Sequence, residues 1–112
     1  MNARLPTHLR VGALLRRVND SGGMGMVLAK GEPQGGAVLL IVTEKGLDPR
    51  CLERGIGADG APGLIDSGPR DADPAAIAAY WQRRRARDPD LWVIELDVAS
   101  QSRFTAETTD FY

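Results

Sequence analysis

The chain has 112 residues, of which 43% are hydrophobic and 26% are charged, and its formal net charge is −1. This length indicates one domain with a single core, and the near-neutral charge argues against a strongly basic nucleic-acid-binding protein. The single cysteine, Cys51, excludes an internal disulfide, and with only one histidine, His8, a zinc site or redox chemistry is not expected.

The first predicted element is a helix that begins after Thr7, which is placed to cap it. Apolar residues recur along this helix at the spacing of one face: Val11, Leu14, Leu15 and Val18. The polar and glycine-rich segment 19–23 is predicted to end it.

A series of strands follows. Residues 24–30 form the first candidate, and residues 37–42 are apolar on both faces, which predicts a central strand covered above and below or at a subunit contact. A third strand is expected at 51–56. Asp59-Gly60 predicts a hairpin turn to a short edge strand at 64–66.

The most informative unit comes near the end of the chain. Asp73 is predicted to cap a second helix with Pro74 at its first position, and Asp88-Pro89 is predicted to end it. One stripe of this helix carries Ile77, Tyr80, Trp81 and the stem of Arg84. In the strand that follows, Trp92 and every second residue to Val98 are expected to face the core.

These elements predict one α+β domain, residues 1–98, with the order α-β-β-β-(β)-α-β. Two helices are expected to pack on one face of a mainly antiparallel sheet of four or five strands. Residues 99–112 are predicted to form a polar, mobile tail unless Phe104, Phe111 and Tyr112 dock. Without a long apolar run or a secretory signal, a cytoplasmic protein that does not enter the membrane is expected.

Several motifs that suggest chemistry have simpler structural interpretations. Residues 55–60 match G-x-G-x-x-G, but no helix opens after them, so a hairpin turn is favoured over a dinucleotide site. The glycine-rich segment 31–36 lacks the Lys-Ser or Lys-Thr of a phosphate loop. We interpret His8 as a surface or capping residue and Cys51 as a small buried hydrophobic residue.

The arginines are the remaining candidates. Arg16-Arg17 and the run 83–87 favour a solvated face, with a recognition surface for an acidic partner or nucleic acid as the alternative. Arg83 and Arg87 are i, i+4 neighbours near a helix C-terminus, where the helix dipole favours cations. Binding to duplex DNA is not expected, because the arginines of this run cannot all face one groove.

Several segments together carry a family resemblance: residues 13–17, Lys30-Gly31-Glu32 with Gly36-Ala37-Val38 after it, Glu53-Arg54, and Asp88-Pro89-Asp90-Leu91-Trp92-Val93-Ile94-Glu95. They resemble a family of short bacterial proteins known only as a domain of unknown function, over about residues 5–97. The resemblance implies a bacterial cytoplasmic origin and brings no activity, cofactor or catalytic residue.

Two functional hypotheses remain. The preferred one is a non-enzymatic interaction or accessory protein, with a homodimer or another protein as its partner, because an apolar sheet with open edges has surface to cover. The alternative is a small anion- or ligand-binding domain or enzyme in which charged side chains converge: Arg16, Arg17, Lys30, Glu53 and Arg54. No cofactor is expected for either.

Overall fold

A computed structural model describes residues 5–108. The elements are α1 (Thr7–Asp20), β1 (Met24–Ala29), β2 (Val38–Glu44), β3 (Leu47–Ile56), β4 (Pro62–Asp66), α2 (Pro74–Arg87), β5 (Trp92–Val98) and α3 (Gln101–Glu107). The predicted α+β class and the predicted order of elements are confirmed, and α3 extends that order by one helix.

The five strands described above form one sheet with the order β1-β5-β2-β3-β4. β5 is parallel to β2, with Leu40 opposite Ile94, and the other pairs are antiparallel. β4 lies at an edge, as predicted, and the turn around Asp59-Gly60 joins it to β3. The glycines of residues 55–60 therefore form the end of a strand and a hairpin.

The sheet is covered by helices on both faces. On one face, α1 and α3 pack against Leu40, Val42 and Ile94; on the other, α2 packs against Leu39 and Ile41. The two predicted helices, α1 and α2, were expected to pack on the same face of the sheet, and this expectation is wrong. Because β2 and β5 carry apolar side chains on both faces, each face needs its own cover.

The helix starts differ in how their free N–H groups are satisfied. In α2, Asp73 Oδ1 accepts a hydrogen bond from Ala76 N at 2.8 Å, and Pro74 is the first residue, as predicted. In α1, the predicted capping role of Thr7 is wrong, because Thr7 lies inside the helix and its N–H donates to the Gln34 carbonyl oxygen at 3.1 Å. Its buried hydroxyl donates to the Gly36 carbonyl oxygen at 2.9 Å.

The loop between β1 and β2 packs tightly on the turn between α2 and β5. Glu32 N donates to the Asp90 carbonyl oxygen at 3.0 Å, and the Trp92 indole donates to the Glu32 carbonyl oxygen at 2.8 Å. Gly31 and Gly36 both lie so close to the Asp90 carbonyl that neither position has room for a side chain. We call this contact between residues 31–36 and 88–92 the loop junction.

The segment predicted as a tail includes helix α3. Ser100 caps it by accepting a hydrogen bond from Arg103 N at 3.2 Å, and Phe104 is only 7% exposed in the core. The buried Gln101 side chain donates to the Val42 and Asp48 carbonyl oxygens at 2.8 and 2.6 Å. Phe111 and Tyr112 lie outside the described residues. None of the helices within residues 5–108 has the length and apolar character needed to cross a membrane.

Candidate functional site

The topology separates the charged residues that were predicted to converge. Lys30 follows β1 at one edge of the sheet, whereas Glu53 and Arg54 lie on β3, with β5 and β2 between. Arg16 and Arg17 lie on the exposed side of α1. Since neighbouring strands are about 4.8 Å apart, Lys30 and β3 are separated by roughly 14 Å across the sheet.

Glu53 and Arg54 also lie on opposite faces of the sheet. Glu53 contacts Arg84 of α2, while Arg54 stands opposite Leu64, which packs on the core beneath α1 and α3. Adjacent residues of a strand point to opposite faces. The structure therefore does not bring the predicted set together in one pocket.

The Glu53 carboxylate instead forms a half-buried cluster with Arg84 and Tyr80. The two nitrogens Nη1 and Nη2 of Arg84 donate to Oε2 and Oε1 of Glu53 at 2.7 and 3.1 Å. Arg84 Nη1 also donates to the Tyr80 hydroxyl at 2.7 Å, and that hydroxyl donates to the Ser67 carbonyl oxygen at 2.5 Å. This two-point ion pair ties α2 to β3.

The electrostatics of this cluster favour the ionised forms of both partners. Burial acts to raise the pKa of Glu53, but the hydrogen bonds and charge of Arg84 outweigh it and hold that pKa below its usual value. The hydrogen bonds to Glu53 raise the pKa of Arg84, against its own burial. A carboxylate held in this way is a poor general base, because it is already engaged by a permanent cation.

Cys51 lies on the α2 face of β3, in the same strand as this cluster. It is 1% exposed and packs in the core with Ile77 and Val93. Burial raises the pKa of its thiol to about 11, which leaves it protonated at neutral pH. Cys51 thus behaves as the buried hydrophobic residue that the sequence indicated.

The contribution of the Glu53–Arg84 pair to the free energy of unfolding can be predicted. Replacing Glu53 with Gln should cost about 1–2 kcal/mol near neutral pH, because Arg84 loses its ionic partner in a half-buried site. Since the pKa of Glu53 is lowered on folding, its contribution is present above the unfolded-state pKa and is lost as the pH falls through the folded-state pKa. Urea unfolding of both proteins from neutral to acidic pH measures the difference.

A matched control is the Glu107→Gln variant. Glu107 pairs with Arg103 at 3.1 Å, but their side chains are 61% and 78% exposed. Its loss should change the free energy of unfolding by less than about 0.5 kcal/mol. An equal effect of the two variants, or a Glu53→Gln effect that persists in acid, would contradict the assignment.

Other arginines also have structural contacts. Arg17 donates to the Glu107 carbonyl oxygen at 3.2 Å and to the Thr108 hydroxyl, and its guanidinium lies 5.9 Å from the centre of the Phe104 ring. These contacts fix α3 on α1. Arg85 donates to the carbonyl oxygens of Pro89 and Leu91 at the loop junction and to that of Lys30 beside it.

Arg83 and Arg87 remain on the exposed surface of α2. Because Arg84 and Arg85 make contacts within the chain, residues 83–87 present fewer cations to a partner than their sequence suggests. Their role as partner contacts stays a prediction.

One cavity, of about 420 Å³, is polar and lies beside β3. It is lined by Asp48, Arg50, Arg70 and Asp71, and Arg50 is already paired with Asp66 at 2.6 Å. The lining combines two carboxylates with two guanidinium groups, so it offers no clear preference for a ligand of either charge.

A more distinctive surface lies on the α2 face, between α2 and the edge strand β1. Cavities of about 340 and 260 Å³ adjoin there and share Thr43, Gly46 and Glu95. We call this surface the β1 groove and define it by Met24, Met26, Leu28, Thr43, Trp81 and Glu95. Met24 and Met26 are 71% and 55% exposed. This groove was not predicted from the sequence, although the apolar residues at alternate positions of β1 carry its signal.

Known proteins similar to this chain identify its family. A family described as "Protein of unknown function (DUF1491)" matches residues 5–106. The chain belongs to the DUF1491 family. This confirms the resemblance drawn from the sequence, and several of the segments that carried it meet at the loop junction: Gly31, Gly36 and residues 88–92.

Solved DUF1491 structures share the fold. A crystal structure of a DUF1491 protein from Caulobacter crescentus is 30% identical, with a TM-score of 0.74 over 87% of this chain and 91% of that one. An NMR structure of a DUF1491 protein from the same organism has a TM-score of 0.70 at 30% identity, covering 87% and 88% of the two chains. The solution structure of Atu0922 from A. tumefaciens, 24% identical, matches in fold with a TM-score of 0.71 over 88% and 89%.

No curated protein matches the chain. Among residues 5–108, no three His, Cys, Asp or Glu side chains are grouped closely enough to hold a metal ion. For DUF1491, no activity is established, so the geometry is the basis for a functional proposal.

Proposed function

We propose that this DUF1491 protein is a small, non-enzymatic interaction protein of the bacterial cytoplasm. The proposed binding surface is the β1 groove, and the proposed partner is a protein, either a second copy of the chain or a different one. The observation that carries the proposal is the exposure of Met24 and Met26, at 71% and 55%, beside a sheet face that α2 covers only in part.

The unequal cover of the two sheet faces supports this proposal. Two helices, α1 and α3, pack on one face, while α2 alone packs on the other. The edge strand β1 borders the second face, and its outer side pairs with no strand among residues 5–108. Apolar surface beside an unpaired edge is typical of a site that another chain covers.

Methionine suits such a surface. Its unbranched, polarisable side chain adapts to partners of different shape, and methionine is enriched at protein interfaces. The Glu53–Arg84 cluster, by contrast, is used to hold α2 on β3. This comparison favours binding at the groove over chemistry at the charged cluster.

Site-specific photocrosslinking in cells of the source organism tests the proposal. A photoreactive amino acid replaces Met26 in one variant and the exposed Ser102 of α3, on the opposite face, in a control. We expect discrete adducts from position 26 alone, identified by mass spectrometry as this chain or one other protein. The purified partner should then lose binding to a Met26→Glu variant that still folds. The same adducts from both positions, or none from position 26, would contradict the proposal.

A further inference from the structure

The β1 groove contains a carboxylate without a partner. Glu95 is half-buried on β5, directly opposite Met26, and it lines both cavities of the groove. Within residues 5–108 its carboxylate makes no hydrogen bond or ion pair. Its neighbour along the same face, Asp97, accepts hydrogen bonds from the Thr43 hydroxyl at 2.8 Å and from Gly46 N at 2.7 Å.

Because Glu95 lacks a partner among the described residues whereas Asp97 has two, the groove favours a ligand that carries a positive charge. A carboxylate that loses water without gaining a partner is destabilised, and covering the groove with an apolar surface alone would remove water from Glu95. A lysine or arginine on the covering chain would supply the missing charge. Apolar side chains around that cation would contact Met24, Met26 and Leu28.

We propose that the β1 groove binds an amphipathic helix of a different protein, with one lysine or arginine within its apolar face contacting Glu95. The inference rests on the proposed function and specifies its partner. A helix fits because it would give the α2 face the second helix that the opposite face already has in α1 and α3.

A second copy of the chain matches the groove less well. If two β1 strands paired edge to edge, the groove of each copy would meet the strand Met24–Ala29 of the other, whose sequence is MGMVLA. No side chain of that strand is charged, so the strand itself offers Glu95 no cation. We therefore assign the cation to a helix of a different protein.

The test begins with a displayed library of random segments of about 14 residues, long enough for roughly four helical turns. The library is selected on the purified full chain after depletion on the Met26→Glu variant. We expect the selected segments to share apolar residues at helical spacing around one lysine or arginine. Helical chemical shifts of an isotope-labelled segment in the complex would establish its conformation.

Glu95 is then tested with one selected segment. Its affinity, followed through the fluorescence of Trp81 in the groove, should fall about fivefold to tenfold for Glu95→Gln, the loss typical of a partly desolvated ion pair. Asp20→Asn, at the end of α1 on the other face, is the matched control and should leave the affinity unchanged. Replacing the cation of the segment with glutamine should remove the difference between wild type and Glu95→Gln.

Several outcomes would overturn the inference. Selected segments without a cation, segments that bind as strands on the edge of β1, or no selected segment would each do so. Crosslinks from position 26 to a second copy of the chain would also overturn it, while leaving the proposed function intact. The absence of any crosslink at position 26 would instead count against the proposed function itself.

Discussion

The Trp92→Ala variant should lose about 3–5 kcal/mol of folding free energy, a large share of the stability of a domain of this size. Trp92 is 3% exposed and packs with Leu40 and Ile94 in the core beneath α1. Its indole also donates to the Glu32 carbonyl oxygen at 2.8 Å. The substitution therefore leaves a cavity and removes a hydrogen bond of the loop junction.

Two further variants separate these contributions. Trp92→Phe keeps most of the packing but loses the indole donor, so a loss of about 1–2 kcal/mol is expected. Trp81→Ala removes a half-buried indole at the rim of the groove and should cost less than Trp92→Ala. Denaturant unfolding measures all three, and a Trp92→Ala protein that melts within a few degrees of the parent would show that the core assignment is mistaken.

The Gly31→Ala variant should lose about 2–3 kcal/mol, because the added methyl group has no room. A Cβ atom at this position would overlap the Asp90 carbonyl and lie 2.7 Å from Cδ1 of Trp92. Both neighbours are held in place, since the Asp90 carbonyl oxygen accepts a hydrogen bond from Glu32 N and the Trp92 indole donates to the Glu32 carbonyl oxygen. The backbone of the loop junction would have to move.

Gly35→Ala is the matched control in the same loop. A Cβ atom there has nothing within 4 Å. This variant should therefore change the free energy of unfolding by no more than about 0.5 kcal/mol in either direction. If the two alanine variants were equally stable, the close packing of the loop junction would be refuted.

Local patterns predicted most of the elements of this fold. The apolar spacing of α1, the Asp73-Pro74 start of α2 and the alternation in β5 each depend on residues within one segment, so a single sequence contains the whole signal. The extra helix α3 was missed because it is short and polar. The docking of Phe104, the burial of Gln101 and the contacts of Arg17 hold it in place, and these contacts are made with residues distant in the sequence.

The distribution of helices between the two faces could not be predicted in the same way. The apolar pattern of β2 indicates that both faces are covered, but it does not indicate which helix covers which face. That choice follows from the crossover through β3, β4 and α2 that makes β5 parallel to β2.

The candidate sites also combine residues that the sequence pattern places correctly with partners that only the assembled fold brings near them. Arg84 was placed on the inner stripe of α2, but its partner Glu53 lies 31 residues earlier in the chain. The β1 groove exists because, within residues 5–108, no second helix lies over β1 and β5 on the α2 face. A property of this kind exists only once the sheet has been assembled.

The position of β5 has a consequence for how the chain folds. β5 is the last strand within residues 5–108, yet it lies inside the sheet between β1 and β2, and its residue Asp97 stands opposite Thr43, 54 residues earlier. Until residues 92–98 have been synthesised, β1 has no strand to pair with, and the apolar β2 has one unpaired side. Pairing across such long sequence separations is slow. During translation, β2 is thus the segment at greatest risk of aggregation, and the one for which a chaperone would matter most.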